Sequence, residues 1–170
     1  MTEKFQDFHM PRYNEIPDID LYMDQLLAYI EKVLSPLYVN SQEKILTTSM
    51  VNNYVKQGLM PATIKKRYSR DHVVFLIEIC LAKQIFPIQE IGKLFTVQNS
   101  SFNTQVSYDY ICTELENAFK STFSNAPLSK DSSTSNKMER LLVRNTVIAI
   151  AHKLHTQMLC ENLYNDITKK

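Results

Sequence analysis

The sequence Thr48-Ser-Met-Val-Asn-Asn-Tyr-Val-Lys-Gln-Gly-Leu-Met-Pro61 carries signals for both the start and the end of a short helix. The hydroxyl of Thr47 or Thr48 can accept a hydrogen bond from a free amide of the first turn. Gly58 is the residue type best suited to the left-handed conformation that ends a helix. The sequence therefore predicts a helix over residues 49–57. The apolar positions expected on its inner face are Met50, Val51 and Tyr54.

The outer face of this predicted helix is polar and contains no carboxylate. It is formed by Ser49, Asn52, Asn53 and Lys56, with Thr48 beside them in the first turn. An asparagine amide can form two hydrogen bonds with the edge of adenine, and a lysine can bind guanine or a phosphate. The pattern therefore indicates a helix face suited to reading the edges of base pairs.

Positive charge is concentrated around this helix, although the whole chain has a net charge of only +1. Between residues 44 and 70 there are six basic residues and no Asp or Glu: Lys44, Lys56, Lys65, Lys66, Arg67 and Arg70. Tyr68 lies in the densest part, and a tyrosine hydroxyl can donate to a phosphate oxygen. An acid-free basic segment in a nearly neutral protein indicates a localised anionic partner. A solvated loop that happens to be basic is the alternative interpretation.

The segments that follow are predicted to form the structures that support this polar, basic surface. Residues 62–68 are short and basic, and they predict either a small hairpin or an extended loop. Ser69 is a candidate N-cap for a helix from Arg70 to about Gln84, which is apolar on nearly every side and would form the core. A buried strand is the rival assignment because the run is rich in β-branched residues, but its length favours a helix. Pro87 suits the first turn of a further helix.

The flanking regions predict more helices and no sheet. Residues 1–17 predict an extended arm, and an apolar stripe over residues 19–34 predicts a helix that ends at Ser35-Pro36. Ser41 is expected to cap a short turn that reaches Leu46. Helices are also predicted over residues 106–123 and 136–167, with the polar segment 124–135 as a linker.

The predicted fold is therefore all-α with at most a very short β wing. Two regions are expected, residues 1–98 with the arm, the first helix and the basic module, and residues 99–170 with the remaining helices. The second region is expected to cover the core, to dimerise or to bind an effector.

Composition argues against several classes of function. Two glycines, Gly58 and Gly92, are too few for a Walker-type or dinucleotide phosphate loop. The three cysteines have no metal-binding spacing, and His152 and His155 lack a third ligand, so we predict no metal and no cofactor. We find no catalytic constellation and expect no enzyme activity. The chain has no apolar run of membrane-spanning length, which predicts no membrane partner and a cytoplasmic location.

Residues 46–95 resemble the DNA-binding module of MerR-type regulators. The resemblance is carried by residues 48–61, by Arg67-Tyr68-Ser69, and by the dipeptides Ala82-Lys83, Glu90-Ile91 and Leu94-Phe95. It implies a winged helix–turn–helix fold in which helix 49–57 reads DNA and the loop after it forms the wing. Several features depart from that family. Asn52-Asn53 stands where Arg-Tyr is usual, and the loop 62–66 is short and lacks glycine. The turn 41–46 is short for the helix that precedes the reading helix, and the long dimer helix and effector cysteines of the family have no clear counterparts after Phe95.

Carried over residue by residue, this resemblance implies two groups of contacts. Contacts to DNA on the helix would come from Ser49, Asn52, Asn53 and Lys56. Contacts to phosphate at the wing would come from Lys66, Arg67 and Tyr68.

A second resemblance covers more of the chain. It is carried by Pro11-Arg-Tyr-Asn-Glu-Ile-Pro-Asp-Ile-Asp-Leu-Tyr-Met-Asp24, Met50-Val-Asn-Asn-Tyr-Val-Lys56 and Lys66-Arg-Tyr-Ser-Arg70. These segments are similar to a bacterial family described only as domain of unknown function 1836, which implies no activity.

Together these observations predict a bacterial DNA-binding transcriptional regulator whose partner is double-stranded DNA and which forms a homodimer. The predicted contact residues are Thr48, Ser49, Asn52, Asn53, Lys56, Lys65, Lys66, Arg67, Tyr68 and Arg70. Two alternatives stay open. One is a protein–protein interaction module on a winged-helix scaffold. The other is a sensor of an unidentified small molecule, with a pocket lined by Tyr108, Tyr110, Phe119 and Met158.

Overall fold

A computed structural model of the chain describes residues 5, 7–38, 44–99, 103–124, 126–132 and 138–168. In these residues the regular structure is six α-helices and two short 3₁₀ turns, Tyr13–Glu15 and Ser35–Leu37. The helices are α1 (Met23–Leu34), α2 (Thr48–Lys56), α3 (Arg70–Ala82), α4 (Ile88–Asn99), α5 (Thr104–Ser124) and α6 (Met138–Thr168). Extended pairing within the described ranges is limited to two isolated antiparallel bridges. The predicted all-α fold class is confirmed.

The chain forms two compact units. One is Met10–Tyr110, and the other combines Met1–His9 with Ile111–Lys170. The division falls within α5, which is continuous from Thr104 to Ser124. The predicted boundary after residue 98 lies inside the first unit.

Helix α1 buries one apolar stripe against α3. Leu26, Ile30 and Leu34 are buried at four-residue spacing, as the sequence pattern predicts. The helix gives way to a 3₁₀ turn at Ser35, where Pro36 removes a backbone donor. Ile19 is 69% exposed, so the prediction that it belongs to the stripe is wrong. The reason is that the helix begins only at Met23, after an extended segment. The cap expected at Ser41 lies outside the described residues.

Helix α3 is the central helix of the Met10–Tyr110 unit. Nine of its thirteen residues are buried, which confirms the helix and excludes the rival strand. Ile77 and Ile79 are fully enclosed, and complete burial of such a side chain contributes about 1.5–3 kcal/mol. Burial also raises the pKa of the Cys80 thiol to about 12, so this cysteine is not a nucleophile at neutral pH.

Helix α4 closes the other side of this unit. It begins directly after Pro87, in agreement with the prediction, and buries Ile91 and Phe95 one turn apart. The ring of Phe95 lies 5.9 Å from that of Phe75 on α3. This ring contact joins α3 and α4 within the unit.

The second unit is built on the later part of α5 and on α6. A long C-terminal helix is confirmed, and its buried residues include Val147, Leu154 and Met158. An aromatic cluster links the N-terminal arm to α5, with the ring of Phe5 stacked 4.4 Å from that of Phe123. Throughout the described ranges, no helix combines the length and apolarity needed to cross a bilayer.

A buried ion pair organises the loop between these two helices. Glu114 Oε2 lies 3.3 Å from Arg144 Nε, and the glutamate side chain is only 1% exposed. Its other carboxylate oxygen accepts from the Ser132 amide at 3.1 Å. The Arg144 guanidinium also donates to the Ser129 carbonyl. The pair therefore holds residues 129–132 against the helices, and residues 126–132 of the predicted linker are indeed a loop.

Candidate nucleic-acid interface

Helix α2 forms for the local reasons that the sequence predicts. The Thr47 hydroxyl oxygen accepts a hydrogen bond from the Met50 amide at 3.2 Å and caps the first turn. Gly58 follows the helix with a φ of +72°, the left-handed conformation that glycine adopts without cost. Val51 and Tyr54 are buried, and Met50 is half-buried. The predicted limits are correct to within one residue.

The outward face of α2 is a continuous polar arc. Five exposed side chains form it: Thr48, Ser49, Asn52, Asn53 and Lys56. At about 100° per residue they span about 140° of the helix circumference. Helix α2 contains no Asp or Glu, so nothing on this arc repels a polyanion. The arc offers amides and hydroxyls that both donate and accept, and one ammonium group.

The basic loop closes into a minimal hairpin. Ile64 and Arg67 form an antiparallel bridge, and the Arg67 amide donates to the Ile64 carbonyl at 3.1 Å. The two residues between them, Lys65 and Lys66, have φ values of +52° and +57°. Two successive positive φ values are the signature of a type I′ turn, where Asn-Gly is the usual pair. Here two lysines with ordinary β-carbons occupy the turn, and both are exposed.

A segment far away in the sequence holds the base of this hairpin. Leu21 and Tyr68 exchange both backbone hydrogen bonds, with N···O distances of 2.8 and 2.9 Å. Tyr68 is only 5% exposed, in contrast to the prediction that it is a surface contact. Its side chain belongs to the core because its strand position faces inward with Leu21. We therefore leave Tyr68 out of the interface.

Arg67 points outward and is fixed by an aromatic side chain. Its guanidinium donates to the Tyr22 hydroxyl oxygen at 2.7 Å, and its carbon Cζ lies 4.6 Å from the centre of the Tyr22 ring. A cation held over a ring face is attracted by the negative charge of that face. Tyr22 was not among the predicted contacts, because no local pattern links it to Arg67.

Arg70 differs from the other predicted cations because it is already paired. Its Nη2 atom lies 3.2 Å from Asp18 Oδ1, its guanidinium lies over the Tyr13 ring, and its side chain is 18% exposed. The Tyr13 hydroxyl in turn donates to Asp71 at 2.7 Å. This hydrogen bond, together with desolvation, raises the pKa of Tyr13. Arg70 thus takes part in a structural cluster with a carboxylate beside it.

Eight of the ten predicted contact residues are exposed, and Tyr68 and Arg70 are the two that are not. Lys56, Lys65 and Lys66 form no ion pair with any residue whose position is described. Among the described residues, nothing therefore neutralises these ammonium groups. The structure brings the two turn lysines and Arg67 together at the hairpin.

Other candidate sites receive less support. Within the ranges that the structure describes, no three His, Cys, Asp or Glu side chains are grouped to hold a metal ion. The His155 ring packs 5.0 Å from Phe123. An open cavity of about 480 Å³ lies beside the end of α2. Its lining comprises Gly58, Leu59, Met60, Pro61, Phe75, Gly92, Phe95 and Thr96.

The fold and this surface define a class: an all-α protein that presents a carboxylate-free polar helix face and a lysine-tipped hairpin. The sequence model of the family described as "Domain of unknown function (DUF1836)" matches residues 11–122. The chain therefore belongs to this family, as its second resemblance predicts. The match includes almost all of the Met10–Tyr110 unit. Comparison with curated proteins and with solved structures gave no match.

Proposed function

We propose that the chain is a DNA-binding transcriptional regulator that reads duplex DNA with α2 and grips the adjacent backbone with the hairpin. One observation carries the proposal. The exposed arc of α2 and the hairpin tip both lack carboxylates, and their lysines form no ion pair with the described residues. Unpaired cations beside a polar helix face match the demands of a phosphate backbone and base edges.

The chemistry of the arc suits the major groove. That groove is about 12 Å wide and admits an α-helix. Asn52 and Asn53 carry amides that can pair with the N6 and N7 positions of adenine, while Lys56 can reach guanine or a phosphate. Thr48 and Ser49, at the N-terminal end, are placed to contact phosphate through hydroxyl and backbone donors.

The order of elements supports a MerR-like arrangement. A reading helix, a glycine turn, a short hairpin and an apolar helix follow one another along the chain. In such a module the hairpin acts as a wing, and Lys65, Lys66 and Arg67 would contact the backbone that flanks the groove. Arg70 is left with a supporting role because Asp18 already neutralises it.

Fluorescence anisotropy with labelled duplexes tests the proposal. If a dimer neutralises about three phosphates per protomer, log affinity falls against log salt with a slope of roughly −5. Asn53→Ala is expected to reduce the discrimination between sites, whereas Lys66→Ala is expected to weaken binding to every duplex about equally. Absence of binding at low salt, to its own promoter region and to random duplex alike, contradicts the proposal.

We also propose that the regulator forms a homodimer through the end of α6. Leu159, Leu163 and Ile167 recur at four-residue spacing beside Tyr164, and all four are exposed. An apolar stripe on a projecting helix is self-complementary around a two-fold axis. Sedimentation equilibrium of the wild type and of Leu163→Asp tests this, and a wild type that stays monomeric at high concentration contradicts it.

A further inference from the structure

Three exposed side chains form a row across the hairpin and the extended segment before α1 that pairs with it. Since Leu21 is opposite Tyr68, the next residues outward, Tyr22 and Arg67, are opposite each other. Arg67 is also opposite Ile64. Side chains of directly opposed residues lie on the same face of a sheet. We call Tyr22, Arg67 and Ile64 the cross-strand row.

The two faces of this small ribbon have different environments. Leu21 and Tyr68 are buried on the inner face. The cross-strand row faces solvent, where Tyr22 is 50% exposed and Ile64 is 80% exposed. The Tyr22 and Ile64 side chains, one on each side of the exposed Arg67, are not buried in the core. The row has the composition of a contact surface, with one cation between two apolar groups.

The arginine of the row is positioned before any partner binds. The Tyr22 hydroxyl accepts from one terminal nitrogen at 2.7 Å, and this bond uses only one of the five N–H donors of the guanidinium. The hydrogen bond to Tyr22 already limits the rotamers of the Arg67 side chain and so orients its remaining N–H donors. Less entropy is therefore lost when a partner binds.

We propose that the cross-strand row enters the minor groove of A·T-rich duplex DNA, an inference that rests on the proposed function. A·T pairs present only acceptors in that groove, and narrow A·T tracts strengthen the negative potential that attracts arginine. G·C pairs add the N2 amino group, a donor that faces the donors of Arg67. Minor-groove proteins also place isoleucine or similar apolar side chains against the base steps, the position that Ile64 takes. The adjacent Lys65 and Lys66 then reach the phosphates on either side.

Inosine substitution isolates the groove that is read. An I·C pair resembles G·C in the major groove but lacks the N2 amino group, so its minor groove resembles that of A·T. Fluorescence anisotropy measures the affinity of the full chain for three duplexes of equal length. The duplexes share a constant core and differ only in the flank beside it, which consists of A·T, G·C or I·C pairs. The row predicts that the A·T and I·C flanks bind alike and at least about fivefold more tightly than G·C, the equivalent of about 1 kcal/mol.

Two variants test the residues of the row, with a matched control. Tyr22→Phe keeps the ring but removes the oxygen that holds Arg67, and Ile64→Thr keeps a β-branched residue in the strand. Both are expected to lower the preference for A·T and I·C flanks, while circular dichroism stays unchanged. Ile19→Thr alters an isoleucine that is exposed outside the row and is expected to leave the preference intact.

The outcomes separate this inference from the proposed function. Equal affinity for all three flanks overturns minor-groove reading by the row but leaves DNA binding standing. A preference for the G·C flank over both the A·T and the I·C flank has the same consequence. Equal effects from Ile64→Thr and Ile19→Thr also overturn it. A wild type that binds none of the duplexes at low salt overturns the proposed function itself.

Discussion

Replacing Lys65 with Asn and Lys66 with Gly is expected to stabilise the protein and at the same time to weaken its binding to DNA. The two lysines have φ values of +52° and +57°, a region that residues with a β-carbon rarely occupy. Asn-Gly is the preferred pair for a two-residue turn of this kind. The double substitution therefore removes backbone strain and two positive charges together.

The gain in stability follows from the backbone. A non-glycine residue held in the left-handed region costs of order 1–3 kcal/mol, and asparagine tolerates the region better than lysine does. Glycine at position 66 offsets about 0.4–1 kcal/mol of the gain, because it gives the unfolded chain more freedom. The net increase in the free energy of unfolding is then about 1 kcal/mol, which raises Tm by about 3 °C in a chain of this size.

The loss of affinity follows from the charges. Each phosphate contact contributes about 0.9 to the slope of log affinity against log salt. At 0.1 M salt one contact is therefore worth about eightfold in affinity, and the two lysines of each bound protomer together about sixtyfold. The slope itself is expected to become shallower by about 2 for each protomer that binds.

Urea unfolding followed by circular dichroism measures the first effect, and anisotropy over a salt series measures the second. Lys32→Gln/Lys93→Gln removes the same charge from exposed positions on α1 and α4 and serves as the control. It is expected to change stability by less than about 0.5 kcal/mol and to leave the salt slope nearly unchanged. A double variant that is less stable than the wild type refutes the strain argument. One that binds DNA with the wild-type salt slope refutes the contact argument.

Three further predictions concern the support of the interface and the second unit. Asp18→Asn removes the carboxylate paired with the Arg70 guanidinium and is expected to raise DNA affinity up to about eightfold at 0.1 M salt, as measured by anisotropy. An unchanged affinity contradicts the idea that Asp18 masks the charge of Arg70. Glu114→Ala removes the carboxylate that pairs with the half-buried Arg144 and accepts from the Ser132 amide, and is expected to cost about 1–3 kcal/mol in urea unfolding; a loss below about 0.5 kcal/mol argues against the pair. In the native protein a thiol reagent at pH 8 is expected to modify the exposed Cys160 quickly and to spare Cys80, because burial raises the pKa of the Cys80 thiol to about 12. Mass spectrometry that finds Cys80 modified first contradicts this.

Local sequence patterns were sufficient to predict that the helices exist, although the start of α1 was placed too early. The limits of α2 depend on a threonine cap and on Gly58, both of which act through hydrogen bonds and φ angles of neighbouring residues. The identity of α3 as a core helix follows from apolar residues on every side. Because these signals involve residues only a few positions apart, no knowledge of the tertiary structure is needed to interpret them.

The environment of the basic residues was not predictable in the same way. The acid-free segment contains no carboxylate in sequence, yet Asp18 lies beside Arg70 in space because the extended segment before α1 pairs with Tyr68, after the hairpin. The same pairing buries Tyr68 and brings Tyr22 to Arg67. A single isolated bridge has no periodicity, so no local sequence pattern predicts it.

The case for a functional hairpin is strongest where the hairpin departs from the rules for a stable fold. Lys65 and Lys66 occupy positions that favour Asn and Gly, and their charges have no partner among the described residues. Ile64 and Tyr22 expose apolar surface that would stabilise the protein if it were buried. The rest of the Met10–Tyr110 unit follows local preference closely, from the cap of α2 to the apolar α3. Departures from stability that lie next to one another on the surface mark these residues as candidates for contact with a partner. The proposed partner is a polyanion because the charges at this point are positive.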